Sequence, residues 1–442
     1  MTITVGPSGA AGRIAAPPSK SSMQRAVACA LLAEGESILR APSLCADSLA
    51  ALSVAEALGA RITREPGVVR IEGAPGRLLA GEGGGLSLSC GESGLCIRMF
   101  APIAALRPAA TTLLAEGSLA RRAVGMVAAP LEALGARCAT EGDLPPVRVR
   151  GPLRGGRVVV DGSSSSQFLT GLLLALPMTG EDSVVEARGL SSRGYVDLTL
   201  ATMRAFGIEV ERDDRPGAGG AIAFAIAGGR RYRPADFRVE GDWSGAAFLL
   251  VAGAVAGGPA GTSGEGTVAV EGLDPRSAQP DRAIVDALRE SGASVALAGA
   301  AVSAGPPAGG AALRAFSFDA RDCPDLFPPL VALAARCEGV SRVRGVGRLR
   351  GKESDRAAVL AREFGKLGIA VEVSGDEMTI RGGRPRGGAV DARGDHRIAM
   401  AAAVAALAGS GPVEIGGAEC VAKSWPSFFE DLARISHPAS MY

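Results

Sequence analysis

At 442 residues the chain exceeds the size at which one hydrophobic core normally stops growing, so two domains are expected. Hydrophobic residues at 47% against 21% charged exclude a disordered chain, and a formal net charge of +1 excludes the basic footprint of a protein that binds long nucleic acid. No apolar stretch reaches the roughly 20 residues that span a bilayer, and the start, MTITVGPSG, lacks a basic segment followed by an apolar one, so the expected location is the cytoplasm, away from any membrane.

The first segment, TITVGPSGAAGRIAA, reads as a hairpin interrupted by Gly and Pro. Beyond it a pattern repeats: a helix closes on a small-Gly step and an alternating stretch follows. The copies are EALGARIT at Gly59, EALGARCA at Gly135, RAFGIEVE at Gly207, RESGASVA at Gly292 and GKLGIAVE at Gly368, spaced by 76, 72, 85 and 76 residues. Glycine there suits a left-handed helix cap, and the alternation suits a strand that turns into a second strand. Each unit therefore reads as β-α-β-α-β-β. The remainder supplies a sixth unit without its last hairpin, which the N-terminal segment is expected to complete.

The expected fold is α/β with two domains, each of three repeated units in a pseudo-threefold arrangement. Residues 17–235 form one domain; residues 1–16 with 236–442 form the other. The chain crosses between them near Ala16 to Ser19 and near Gly241, where Gly or Pro breaks the pattern.

Just before the first helix of each unit lies a short polar loop: PPSKSSMQR, CGESGLCIR, DGSSSSQFL, EGDWSGAAF, RDCPDLFPP and RGDHRIAM. Their landmarks Lys20, Gly94, Ser166, Ser244, Pro324 and His396 are 74, 72, 78, 80 and 72 residues apart. Helix N-termini carry unpaired N–H groups and about half a positive charge, so several of them turned to one place form an anion site. Lys20, Arg25, Arg98 and Arg397 lie in or just after these loops, where stability alone would favour Asp or Glu. A multiply charged anion accounts for cations at the positive ends of helices. A single Ser at a helix start is usually a cap; four consecutive hydroxyls in DGSSSSQF read instead as a phosphate or sulfate cradle. In the fifth unit CPDLFPP and RGKESDR concentrate Asp325, Lys352, Glu353 and Arg356. Alone, KESDR would be a solvated helix start, but acids beside cations at an anion site suit proton transfer.

Eight cysteines occur without CxxC or Cys/His spacing, and only His396 and His437 supply imidazoles, so no metal site is expected and the thiols read as buried in a reducing compartment.

These loops also carry a family resemblance along essentially the whole chain. PPSKSSMQRAVACALLAEG, CGESGLCIRMF, DGSSSSQFLTGLLLALP, SSRGYVDLTL, VEGDWSGAAF, CPDLFPPL, RLRGKESDR, GDHRIAMAAAVAAL and AKSWPSFFEDL resemble, in order, the motifs of the 5-enolpyruvylshikimate-3-phosphate synthase family. The resemblance implies transfer of the enolpyruvyl group of phosphoenolpyruvate to the 5-hydroxyl of shikimate 3-phosphate by addition and elimination. It further implies domain closure on the substrate, a monomer, and no metal or organic cofactor.

It also assigns residues. Lys20, Ser21, Arg25, Ser165, Ser166, Gln167, Ser192, Tyr195, Asp325, Arg348 and Lys352 match the shikimate 3-phosphate contacts. Lys20, Gly94, Arg122, Gln167, Arg356, Arg397 and Lys423 match those to phosphoenolpyruvate. Asp325 matches the residue facing the attacking hydroxyl, Glu353 the carboxylate near the vinyl carbon, and Lys20 is shared between both substrates and counted with them as catalytic. Where the family usually has Arg-Pro after Ser-Leu, this chain has Arg122-Ala123, so the register leaves Arg121 and Arg122 both open. Arg348 replaces an Asn of some members, and Leu95 and Met99 replace Thr and Pro. A sister enzyme, UDP-N-acetylglucosamine enolpyruvyl transferase, shares fold and donor but lacks the SSQF run, and its reactive loop Cys has no counterpart in Cys138, which falls at a strand start.

Overall fold

The computed structural model describes residues 1–163, 165–215, 220–258 and 266–438. The chain separates into two compact units, Pro18–Val239 and Met1–Pro17 with Glu240–Tyr442.

The Pro18–Val239 unit contains three four-stranded sheets of one design. In the second, Leu86–Ser89 lies parallel to Ala110–Leu114, which pairs antiparallel with Leu144–Arg150, itself antiparallel to Arg137–Glu141. A parallel pair needs a crossover, and the helix Gly94–Ala104 supplies it. The third sheet repeats this with Gly156–Asp161, Ser183–Arg188, Ile222–Ile226 and Glu211–Asp213. In the first sheet, however, the leading strand is Asp236–Arg238, parallel to Glu36–Arg40. That pairing carries residues 236–239 into this unit and corrects the boundary expected at 235.

The other unit mirrors the exchange. Its sheet Val268–Glu271, Ala301–Gly305, Ser294–Ala298 is led by Gly12–Ala15 from the chain start. The next sheet, Ser317–Asp319, Val340–Arg344, Glu377–Arg381, Ala370–Ser374, is continuous in sequence. The last holds three strands, Gly388–Asp391, Val413–Gly416 and Thr2–Val5. The N-terminal segment is thus not a hairpin. Gly6-Pro7 and Gly12, at φ 121°, redirect it so that Thr2–Val5, Ser8–Ala10 and Gly12–Ala15 enter three different sheets, Ser8–Ala10 pairing with Ser436–Pro438.

The first helix of each repeat is buried nearly all round, its polar residues gathered in the first turns. Trp243–Ala256, Phe327–Ala334 and His396–Leu407 pack on one another, and Gly94–Ala104 packs closely on Gln167–Ala175. That last approach depends on Gly171, where a Cβ would stand 2.5 Å from the Met99 carbonyl oxygen. The five repeat-marking glycines all adopt positive φ, between 78° and 110°. Among the described residues no helix is long and apolar enough to cross a membrane.

Candidate active site

In the Pro18–Val239 unit the helix Lys20–Leu32 is capped by Ser19, whose side chain accepts from the Ser22 amide. Its first residue is Lys20, whose Nζ stands 3.0 Å from Asp47 Oδ2 in the first turn of the next helix, Ala46–Ala57. One and a half turns on, Arg25 is almost fully buried. Its guanidinium donates to Thr199 Oγ1 at 2.8 Å, Ser21 O at 2.8 Å and Tyr195 O at 3.1 Å, and lies 5.9 Å from the Tyr195 ring centre. The Tyr195 amide in turn donates to the carbonyl of Ser192, a buried residue at φ 56° immediately before the helix Arg193–Ala205. A non-glycine residue held there marks a conformation imposed by its surroundings.

A second cationic group gathers at the start of Gly94–Ala104. Arg98 Nη1 donates to Gln167 Oε1 at 2.8 Å and its Nη2 to the Ala123 carbonyl at 2.6 Å. A Cβ on Gly94 would meet Arg98 Nη1 at 2.8 Å and both terminal nitrogens of Arg122 at 3.0 Å. Glycine therefore admits two guanidiniums to the positive end of a helix, an arrangement that favours an anion. Arg122 is buried while Arg121 is exposed, so it is Arg122 that stands against Gly94. Of the serine run, Ser164 lies outside the described residues. Ser165 Oγ accepts from the Gln167 amide and acts as a cap, whereas the buried Ser166 hydroxyl makes no capping bond.

The unit containing Glu240–Tyr442 holds the acids. Asp325, in the turn Pro324–Leu326, accepts on Oδ1 from Arg356 Nη1 at 2.9 Å and Lys352 Nζ at 3.3 Å, and on Oδ2 from Arg397 Nη2 at 3.0 Å. Burial acts to raise its pKa, but Arg397, Lys352 and Arg356 outweigh burial and hold it well below the ordinary carboxylate range. Arg356 is fully buried and organises the cluster: it donates to Glu353 at 2.6 Å, to Asp325, and through Nε and Nη2 to both oxygens of Asp395. Burial disfavours its charge, yet Asp395, Glu353 and Asp325 together raise its pKa above normal. Arg397 also donates to Ser244 Oγ at 2.6 Å. For Arg348, in the turn Val346–Leu349, burial lowers the pKa and Asp322 and Asp325 oppose that. Lys423 is buried at the end of the turn Ala418–Lys423.

Five predicted residues, Asp325, Lys352, Glu353, Arg356 and Arg397, therefore form one bonded cluster. Arg25 with Ser21 and Tyr195, and Gly94 with Arg122 and Gln167, form two more. Sequence reading passed over Asp47 and Asp395. Each is an acid in a helix-start position where acids are common, and Asp395 does cap, accepting from the Arg397 amide at 3.1 Å. Lysine usage is a usable signal: of 47 Lys and Arg residues only Lys20, Lys352, Lys366 and Lys423 are lysines.

The cysteines are free, and burial pushes Cys138, Cys337 and Cys420 up to about 12, which leaves them protonated and poor nucleophiles. Among the described residues no group of three or more His, Cys, Asp or Glu is placed to hold a metal ion.

A sequence model of the EPSP synthase (3-phosphoshikimate 1-carboxyvinyltransferase) family matches residues 5–432. The chain belongs to this family. It is 43% identical to the 3-phosphoshikimate 1-carboxyvinyltransferase of Aeropyrum pernix, over 98% of this chain and 95% of the relative. It is 38% identical to that of Methanoculleus marisnigri, over 94% and 95%. The fold matches an EPSP synthase of Acinetobacter baumannii with a TM-score of 0.78 and 27% identity, covering 99% and 98% of the two chains. The enolpyruvyl transferase NikO from Streptomyces tendae, 18% identical with a TM-score of 0.76 and coverage of 99% and 98%, shares the fold. Family membership makes the chain an enzyme of the shikimate pathway acting on small molecules, and the sister-enzyme reading is not favoured.

Proposed function

We propose that the clusters described above carry the family's reaction, in which phosphoenolpyruvate and shikimate 3-phosphate give 5-enolpyruvylshikimate 3-phosphate and phosphate. The observation that carries this reading is the single guanidinium of Arg356 holding two carboxylates, Asp325 and Glu353, beside Lys352 and Arg397. Such a group binds a multiply charged anion and moves protons next to it.

Shikimate 3-phosphate is held by Lys20, Ser21, Arg25, Ser165, Ser166, Gln167, Ser192, Tyr195, Arg348 and Lys352, with its 5-hydroxyl at Asp325. Phosphoenolpyruvate is held by Lys20, Gly94, Arg122, Gln167, Arg397 and Lys423. Arg356 has four N–H···O contacts to carboxylates and no exposed surface, so it serves this donor through the acids it orients.

In the addition step the 5-oxygen bonds to C2 of phosphoenolpyruvate, its proton passes to Asp325, and Lys20 gives a proton to C3. In the elimination step Glu353 takes a proton from C3, the C2–oxygen bond to phosphate breaks, and the proton on Asp325 leaves with the phosphate. Glu353 then gives its proton to solvent and Lys20 regains one from it, so atoms and charge balance. Asp47 accepts from Lys20 Nζ at 3.0 Å and so orients the amine. Bound phosphate groups offset the cations around Asp325 and raise its basicity when it is needed.

The enzyme acts as a cytoplasmic monomer, without nucleic acid, membrane or cofactor. Phosphate release from phosphoenolpyruvate tests the reading. It is expected with shikimate 3-phosphate as acceptor and absent with UDP-N-acetylglucosamine; release with only the latter sinks it.

A further inference from the structure

Glu363 is an acid the reaction does not use. It lies in the helix Arg356–Lys366 with its side chain completely buried. Counting five residues back from the helix-ending glycine, the other repeats place Val54, Pro130, Thr202 and Ala287 at this point. None of those carries a charge, and Val54, Thr202 and Ala287 are buried. A carboxylate is costly to bury unless it is paired and hydrogen-bonded. Here Oε1 accepts from Arg362 Nε at 2.7 Å, and Oε2 accepts from Lys366 Nζ at 2.6 Å and from the backbone amide of Asp391 at 2.9 Å.

Asp391 ends the strand Gly388–Asp391, and the loop that follows delivers Asp395, His396 and Arg397. Within that loop Arg393 sits at φ 53° and Gly394 at φ 72°. A left-handed arginine costs free energy and persists only where its surroundings determine the backbone. The helix Arg356–Lys366 grips this loop at both ends: its first residue, Arg356, binds Asp395, and Glu363, two turns later, binds Asp391.

We propose that Glu363 is a positioning residue for phosphoenolpyruvate binding, fixing the start of the 391–395 loop so that Asp395 and Arg397 meet Arg356 and Asp325. The inference rests on the reading that Arg397 binds phosphoenolpyruvate. Lys366, the Asp391 amide and Arg362 outweigh burial and lower the pKa of Glu363, which keeps the acceptor ionised at neutral pH.

The test is the steady-state KM for phosphoenolpyruvate of the full chain at saturating shikimate 3-phosphate, read together with kcat, and calorimetric binding of shikimate 3-phosphate alone. Wild type and Arg397→Ala come first: if Arg397→Ala keeps the wild-type KM for phosphoenolpyruvate, the reading of Arg397 fails and the inference with it. If its KM rises, Glu363 is judged separately. Glu363→Ala is then expected to raise that KM about tenfold, since small misplacements of binding groups cost that much or more. Shikimate 3-phosphate affinity should stay unchanged, and Glu363→Gln, which keeps an oxygen for the Asp391 amide, should recover most of the loss. An unchanged KM for phosphoenolpyruvate in Glu363→Ala, a parallel loss for both ligands, or a Gln variant as weak as Ala overturns the proposal. Should Glu363→Ala not fold, Glu363→Asp, one methylene shorter, takes its place with the same expected loss.

Discussion

The guanidinium of Arg356 faces the carboxylate of Asp395 along an edge, with Nε 2.9 Å from Oδ2 and Nη2 3.2 Å from Oδ1. Two hydrogen bonds fix the plane of the guanidinium, and its remaining edge is left to hold Asp325 and Glu353. The orientation of both proposed acid-base groups is thus inherited from a residue that the reaction does not touch.

General acid-base groups contribute about a hundredfold to ten-thousandfold, so Asp325→Ala and Glu353→Gln are each expected to lower kcat by an amount in that range. Shikimate 3-phosphate affinity should fall in the Asp325 variant, which loses the proposed partner of the 5-hydroxyl, and hardly change in the Glu353 one. Steady-state kinetics with direct binding on folded protein decide it. A kcat near wild type in both leaves the carboxylates as charge balance only.

The depressed pKa of Asp325 has a sign in stability. Because the folded value lies below the ordinary 3.8, its contribution is fully present above about pH 4 and is lost as pH falls toward the folded value. Asp325→Asn should therefore be less stable than wild type at pH 7, with the gap narrowing below about pH 4. Urea midpoints at both pH values check it; a gap that widens on acidification contradicts the assignment.

Ser165 and Ser166 should separate. Ser165 caps its helix, so Ser165→Ala is expected to cost about 1 kcal/mol of stability. Ser166 does not cap, so Ser166→Ala should leave the melting temperature alone while weakening shikimate 3-phosphate about tenfold, the usual loss for a hydrogen bond to a charged group. If Ser166→Ala lowers the melting temperature and keeps its affinity, the hydroxyl is structural.

Lysine is nearly absent from this chain, and three of its four lysines fall among the proposed site residues. A guanidinium stays protonated at any working pH, whereas an ammonium can give up its proton. Lys20→Arg should therefore lower kcat about a hundredfold or more, while Lys366→Arg, which keeps an ion pair to Glu363, stays near wild type. An active Lys20→Arg enzyme would remove Lys20 from the proton path.

Much of the architecture is readable in spacing alone. Lys20, Gly94 and His396 are the first residues of their helices, Ser166 and Ser244 fall within one residue of theirs, and Pro324 opens the turn before Phe327–Ala334. What a strand is follows from local alternation, but which strand it pairs with does not. Neither the exchange of Gly12–Ala15 and Asp236–Arg238 nor the dispersal of the N-terminal segment leaves a local mark. The same holds for Asp47, Asp395 and Glu363. Each has the composition of an ordinary helix position, the last even forming an i,i+3 pair with Lys366, and only the fold reveals that the far oxygen binds a distant partner.

The dispersal of the first strands also orders events during synthesis. Everything the Pro18–Val239 unit needs has been made once Val239 leaves the ribosome, but Thr2–Val5 pairs with Val413–Gly416 and Gly12–Ala15 with Val268–Glu271. At about 5–20 residues per second, the very first strand waits roughly twenty seconds to more than a minute for its partner to exist. Thr2–Val5 is therefore made long before it can be locked in place, and a substitution that weakens its pairing with Val413–Gly416 acts on a late stage of folding rather than on its beginning.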